Sequence, residues 1–193
     1  RLLMRKGGGR PRAAIGELTD HVNRNPAAMA VSNVLIGLYV MDRQYDRAIR
    51  ESKQILRKDE KNVGAMFNLA TCFHHLGKHE LAEFILKNAA EIEPENAEIQ
   101  NRLGFVHLAL DAKPSAVAAF EKAIKLRPGF AEAHNNLGVL YQGAGDDEGA
   151  AGQFTAAVKA YPTFREGFMN LGNAYRGLRN TTEAERAYRK AIE

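Results

Sequence analysis

The sequence predicts an all-α protein made of stacked antiparallel helix pairs. Three observations predict it: a period of 34 residues along the chain, residue columns that hold this period in step, and helix start and stop signals that recur within each unit. Ala14, Ala48, Ala82, Ala116, Ala150 and Ala184 follow one another at that spacing without a break. Pro94, Pro128 and Pro162 form a second column, with Pro26 two periods before Pro94 and Glu60 in the place between. Leu103-Gly104, Leu137-Gly138 and Leu171-Gly172 form a third, continued upstream by Leu69-Ala70 and Leu35-Ile36. Aromatic residues supply two more: Tyr39, Phe73, Tyr141 and Tyr175, with His107 substituting, and Phe120, Phe154 and Tyr188.

In chain order, residues 1–28 read as the later part of a unit, with Gly7-Gly8-Gly9 as its turn and Pro11 opening a second helix. Proline is tolerated there because its missing N–H has no partner in a first turn and its fixed φ suits the helix. Full units are expected at 29–62, 63–96, 97–130 and 131–164, and a fifth, 165–193, stops before its proline. The first departs most from the pattern, with Ile36 for the small residue, Ser52 for the aromatic and Glu60 for the proline. Pro114 opens the second helix of the unit at 97–130. The unit at 131–164 shows the plan best. A first helix over about 131–142 carries Leu137 and Tyr141 on one face, and Gly143 and Gly145 stop it. Asp146 and Asp147 offer an N-cap and first-turn negative charge to a second helix, which turns Ala150, Phe154, Ala157 and Val158 inward until Pro162 ends it. Gly138 and Ala150 let the two helices approach, and Tyr141 and Phe154 fill the space around that contact.

The run Leu137, Gly138, Tyr141, Ala150, Phe154, Ala157 and Pro162 resembles the tetratricopeptide repeat family, and the resemblance extends over nearly the whole chain. It implies a right-handed α-solenoid whose first helices line a concave groove that holds an extended peptide or a partner's helix. In that register the groove is lined by Asn68, Arg102, Asn136 and Asn170, with Val34 in the same column and Asn33, Asn101, Asn135, Gln142, Asn173 and Arg176 beside it. Each asparagine offers an acceptor and two donors, so a ladder of them can pair with the main chain of a ligand of any sequence. The competing reading is that helix-surface amides are solvated or bond locally. The family's carboxylate clamp for acidic tails is matched by Asn68 and Arg102. Asn33, Gly37 and Glu98 stand where Lys, Asn and Lys are needed, so such tails are not the expected ligand.

The resemblance therefore implies a non-catalytic scaffold or adaptor with a protein or peptide partner. A second reading makes the array the substrate-selecting arm of an enzyme, such as a glycosyltransferase. The texture of stretches such as 33–56 is similar to bacterial tetratricopeptide lipoproteins of gliding-motility and pilus machines in the cell envelope, which would place a lipobox cysteine upstream. The chain starts at Arg1 and ends inside a helical pattern, so it reads as part of a longer protein. The outward face of the last pair, around Phe168, Leu171, Tyr175 and Tyr188, is expected to be uncovered and open to end-to-end self-association.

Composition narrows the alternatives. An apolar share of 45% over 193 residues supports a continuous core. The net charge of +4 is carried by residues 1–28, where six basic side chains face two acidic ones, and the rest of the chain is neutral. A phosphate-binding stripe along the repeats is thus absent, and no nucleic-acid partner is expected. The longest apolar run, Val34 to Met41, falls short of the roughly 18 residues of a membrane span, so no membrane contact is expected of this segment. Cys72, the single cysteine, lies in an apolar helical pattern and reads as a buried thiol. His74, His75 and His79 are the one histidine cluster; adjacent helical residues diverge by about 100°, so no metal, and no other cofactor, is expected.

Overall fold

The computed structural model describes residues 11–25 and 28–193, and among these it contains eleven helices and no strand. The helices are α1 (Pro11–Arg24), α2 (Met29–Met41), α3 (Tyr45–Lys58), α4 (Val63–His75), α5 (His79–Ile92), α6 (Ala97–Ala109), α7 (Lys113–Leu126), α8 (Ala131–Gly143), α9 (Asp147–Ala160), α10 (Arg165–Gly177) and α11 (Thr181–Ile192). The chain divides into two compact units between Pro94 and Glu95. In the first, α2 packs on α1, α3 and α4, and α4 also packs on α3 and α5. In the second, each helix from α6 to α11 packs on the next, and the first helices α8 and α10 also touch. The expected Gly7-Gly8-Gly9 turn, Pro26 and the basic residues Arg1, Arg5, Lys6 and Arg10 fall outside the described residues.

The turn inside each pair is the same device five times. Arg43, Gly77, Asp111, Gly145 and Arg179 have φ of 59°, 74°, 55°, 82° and 58°, and they too are spaced by one period. Each is followed by a residue whose N–H bonds the carbonyl five residues back: Gln44 to Tyr39, Lys78 to Phe73, Ala112 to His107, Asp146 to Tyr141 and Asn180 to Tyr175, at 2.8–2.9 Å. This is the Schellman closure, which satisfies the last carbonyls of the first helix and reverses the chain. Glycine marks two of these turns, and the other three hold a non-glycine residue in the left-handed region. The start signals are also visible: Asn62, Asn96, Asp146 and Asn180 cap α4, α6, α9 and α11 through their side chains. Pro114 sits in the first turn of α7, as its fixed φ allows.

Within each pair of the second unit a glycine on the first helix faces an aromatic ring on the second. A Cβ added at Gly138 would lie 2.7 Å from Phe154 Cε1, and Gly104 and Gly172 stand against Phe120 and Tyr188 more tightly still. Phe120 and Phe154 are wholly buried. The expectation that Gly138 permits the close approach therefore holds, and its partner is the ring of Phe154. In the first unit the same two columns read Ala70 with Leu86 and Ile36 with Ser52. All four are buried, so bulk missing from one helix is supplied by the other. The departure at Ile36 and Ser52 is thus an exchange of volume between columns, which a comparison of each column alone does not reveal.

The expected uncovered face of the last pair is not formed by the residues named for it. Leu171 is 7% exposed and packs in the core with Ala150, Phe154 and Ala174, while Tyr175 packs against that cluster and Tyr188 lies against Gly172. Phe168 is half-buried. The face of α11 turned to solvent carries Glu185, Arg186, Arg189 and Lys190, with ion pairs Glu183–Arg186 and Glu185–Arg189 along it. These side chains are three and four apart and therefore share one helix face, which the apolar reading of this end did not consider.

Three outcomes are expected. Gly138→Ile and Phe154→Ser each cost about 3 kcal/mol by overpacking and cavity formation, while the double variant, which transplants the Ile36/Ser52 pair, costs less than the sum by at least about 1 kcal/mol in urea denaturation. Asp111→Gly relieves the left-handed strain and raises stability by up to about 1 kcal/mol. Burial pushes the Cys72 thiol up to about 11, so at pH 8 only about one molecule in a thousand carries the thiolate, and a disulfide reagent labels the folded protein only after denaturant is added.

Candidate functional site

The first helices of the second unit enclose a recess of about 410 Å³. Glu98, Asn101, Arg102 and Phe105 of α6 form one side, Glu132, Asn135 and Asn136 of α8 the middle, Glu166 of α10 the other side, and Phe130 and Phe164 stand at its helix-start end. It lies on the face expected to be a groove, and four of the expected residues line it: Asn101, Arg102, Asn135 and Asn136.

The amides are arranged differently from a ladder of free groups. Asn136 Nδ2 donates to Asn101 Oδ1 at 3.0 Å, and Asn170 Nδ2 donates to Asn135 Oδ1 at 2.9 Å. Each bond spans one repeat plus one residue, from one first helix to the next. Asn101 and Asn135 are 8% and 4% exposed, so they serve mainly as inter-repeat links, while Asn136 and Asn170 are half-buried. Asn135 Nδ2 also reaches Glu166 Oε1 at 3.5 Å. In the first unit the corresponding bond runs from Asn68 Nδ2 to the backbone carbonyl of Asn33 at 3.0 Å, and Asn33 Nδ2 donates to Asn62 Oδ1 at 2.8 Å. Gly64 admits that contact, because a Cβ there would lie 2.6 Å from Asn33 Nδ2. The local-bonding reading therefore accounts for part of every pair, and what remains for a ligand is one N–H and the side-chain oxygen of Asn136 and of Asn170.

Four expected residues of the second unit, Gln142, Asn170, Asn173 and Arg176, do not line the recess. Asn173 Oδ1 accepts from the hydroxyl of Tyr188 at 2.8 Å and so ties α10 to α11. Gln142 and Arg176 sit in the last turns of α8 and α10, two turns or more from the helix starts where the recess lies. The groove residues split accordingly between the two units, with Asn33 and Asn68 in the first and the others in the second.

Sequence reading passed over Phe105, Phe130, Phe164, Glu132 and Glu166. A signal existed: Glu98, Glu132 and Glu166 are one period apart at the second position of successive first helices. A second lies in the caps. Positions 62, 96, 130 and 164 form one column, in which Asn62 and Asn96 cap their helices, whereas Phe130 and Phe164 give α8 and α10 no side-chain cap. A cap is worth about 1 kcal/mol, and packing accounts for its replacement here: Phe130 is 4% exposed in a core cluster with Ala97, Ala123 and Ala133, and the Phe164 ring lies against Gly167 of α10. The charges are unevenly matched. Arg127 pairs with Glu98 at 3.1 Å and lies 4.3 Å above the Phe130 ring, and Arg102 lies 5.9 Å from the Phe105 ring. Burial lowers the pKa of the Arg102 guanidinium, and the nearby Glu98 carboxylate opposes that shift.

The histidines come closer together than helix geometry alone implied, because the Schellman turn at Gly77 folds His79 back beside α4. The His74 ring lies 5.1 Å from His79 and 5.7 Å from His75, and His75 stacks on Tyr45 at 5.4 Å. Among the described residues no group of three His, Cys, Asp or Glu has the geometry to hold a metal ion, and no helix is long and apolar enough to cross a membrane.

Comparison with known proteins agrees with this arrangement. Three tetratricopeptide repeat family models match residues 39–104, 114–145 and 166–193, together more than half of the chain. Protein bimA of Emericella nidulans is 34% identical over 59 residues, which are 31% of this chain and 7% of that relative's length. The crystal structure of MamA superposes with a TM-score of 0.68 at 27% identity, covering 80% of this chain and 90% of MamA. That of TTC0263, a thermophilic TPR protein in Thermus thermophilus, superposes with a TM-score of 0.80 at 20% identity, covering 87% and 92%. With these three models matched over more than half of its length and its helix pairs and Schellman turns recurring at a 34-residue period, the chain belongs to the tetratricopeptide repeat family.

Proposed function

We propose that the chain is a non-catalytic interaction module that holds an extended stretch of a partner polypeptide against its first helices, with the recess of the second unit as the principal contact. The recess itself carries the reading: three successive first helices turn aromatic rings, amides and charged groups toward one concavity instead of closing it with apolar side chains. Asn136 and Asn170 are the residues suited to the partner's main chain, because each is fixed by one bond to its neighbour and still offers an acceptor and a donor. A side chain held in this way loses little entropy when it binds. The tetratricopeptide family supports a protein partner in general. The finer reading, an adaptor in a multiprotein assembly such as a bacterial envelope motility or pilus machine, rests on sequence texture, and a lipobox cysteine upstream in the gene is its marker.

Linear peptides selected on the wild-type protein from a random display library are expected to lose about tenfold or more in affinity for the Asn136→Ala, Asn170→Ala double variant, measured by fluorescence anisotropy. A Lys122→Ala, Lys159→Ala variant on the second helices should bind as wild type. The asparagine variant also loses its inter-repeat bonds, at about 1 kcal/mol each, so its melting temperature is measured alongside and binding is read well below it. Selected peptides that lose affinity only through the second-helix substitutions would place the binding face elsewhere.

A further inference from the structure

The repeats of the second unit supply their own control for what the recess recognises. In one place the chain assembles a three-part arrangement from Glu98, Arg127 and Phe130: the guanidinium pairs with the carboxylate at 3.1 Å and lies 4.3 Å over the ring centroid. One period later the corresponding residues are Glu132, Tyr161 and Phe164. The carboxylate and the phenylalanine recur, and both line the recess. The arginine does not recur. Tyr161 stands in its place, about half exposed, with its ring stacked on Phe164 at 5.9 Å and 26°. Among the described residues no cation of the chain pairs with Glu132 or lies over Phe164.

We infer that Glu132, with the Tyr161–Phe164 aromatic pair, is the binding site for an arginine side chain of the partner polypeptide, which takes there the part that Arg127 plays one repeat earlier. This deepens the peptide-binding reading above and rests on it. A guanidinium is planar, weakly hydrated and able to stack on an aromatic face while it donates to a carboxylate, and Arg127 adopts that pose in this protein. The carboxylates of the recess are only partly matched: among the described residues Arg127 and Arg102 both lie near Glu98, whereas Glu132 has no ion pair and Glu166 meets only the Asn135 amide at 3.5 Å. The same imbalance disfavours an acidic segment, which would set its carboxylates against Glu132 and Glu166.

The experiment uses fluorescein-labelled peptides of alternating Ser-Arg, Ser-Gln and Ser-Glu, titrated with the protein at moderate ionic strength. Binding of the Ser-Arg peptide about fivefold tighter than Ser-Gln is expected, the combined yield of one exposed ion pair and one cation–π contact, with Ser-Glu the weakest. Two variants read the site itself. Glu132→Gln removes the carboxylate, and Tyr161→Arg lets the chain fill the site with its own guanidinium, as Arg127 does at Glu98. Both are expected to bring the Ser-Arg to Ser-Gln ratio to about one, with helicity and melting temperature confirming that each variant is folded. Equal wild-type affinities for Ser-Arg and Ser-Gln, or a preference that survives both substitutions, would overturn this inference and leave the groove reading standing. Failure of all three peptides to bind the wild type would overturn the groove reading and the inference with it.

Discussion

A bare glycine backbone facing an aromatic ring sets the distance between the two helices of a pair, and the rest of the second unit depends on that distance. Gly104, Gly138 and Gly172 let Phe120, Phe154 and Tyr188 fill the space a side chain would otherwise occupy. Such a contact is unforgiving in both directions, since a core is packed to crystal-like density and neither a void nor an overlap is absorbed for free. With the spacing fixed and a Schellman turn closing each pair, successive first helices of the second unit come within reach of a side-chain amide. The bonds Asn136–Asn101 and Asn170–Asn135 are the consequence, and so is the concavity at the helix starts.

That concavity explains why polar residues are retained in a half-buried place. An apolar closure would bury more hydrocarbon, yet the chain keeps amides, carboxylates and arginines there and satisfies many of them against one another. The cost of desolvating these groups is met by hydrogen bonds between repeats, and the bonds also hold the groups in fixed positions. Pre-positioned amides suit recognition of a main chain, because the partner then bears most of the ordering entropy. The two units differ in this respect: the first joins Asn68 to the backbone of Asn33, and the second joins side chain to side chain.

The fold was legible because its determinants repeat. Columns of alanine, glycine, aromatic and proline at a constant spacing announce helix pairs, and the helices formed on either side of the turns those columns mark. Volume exchange between columns was not legible, because Ile36 and Ser52 each look like an error until the partner residue across the pair is known. The end of α11 was misjudged for a related reason: Leu171 and Tyr188 face the preceding helices, and only packing directions say so. At the site, spacing found the amides but could not show that half of them are consumed by their neighbours. It passed over Glu132 and Phe164 altogether. The role proposed for them comes from being one period away from Glu98 and Phe130 without the arginine that completes that set.

Recognition by this chain, as proposed, requires the partner to lie across the first helices of the second unit. A titration of isotopically labelled protein with a selected peptide, followed through backbone and asparagine side-chain amide resonances, reads that placement directly. Shifts concentrated on α6, α8 and α10, with the side-chain amides of Asn136 and Asn170 among the largest, are the predicted result. Shifts concentrated on α7, α9 and α11 would contradict it.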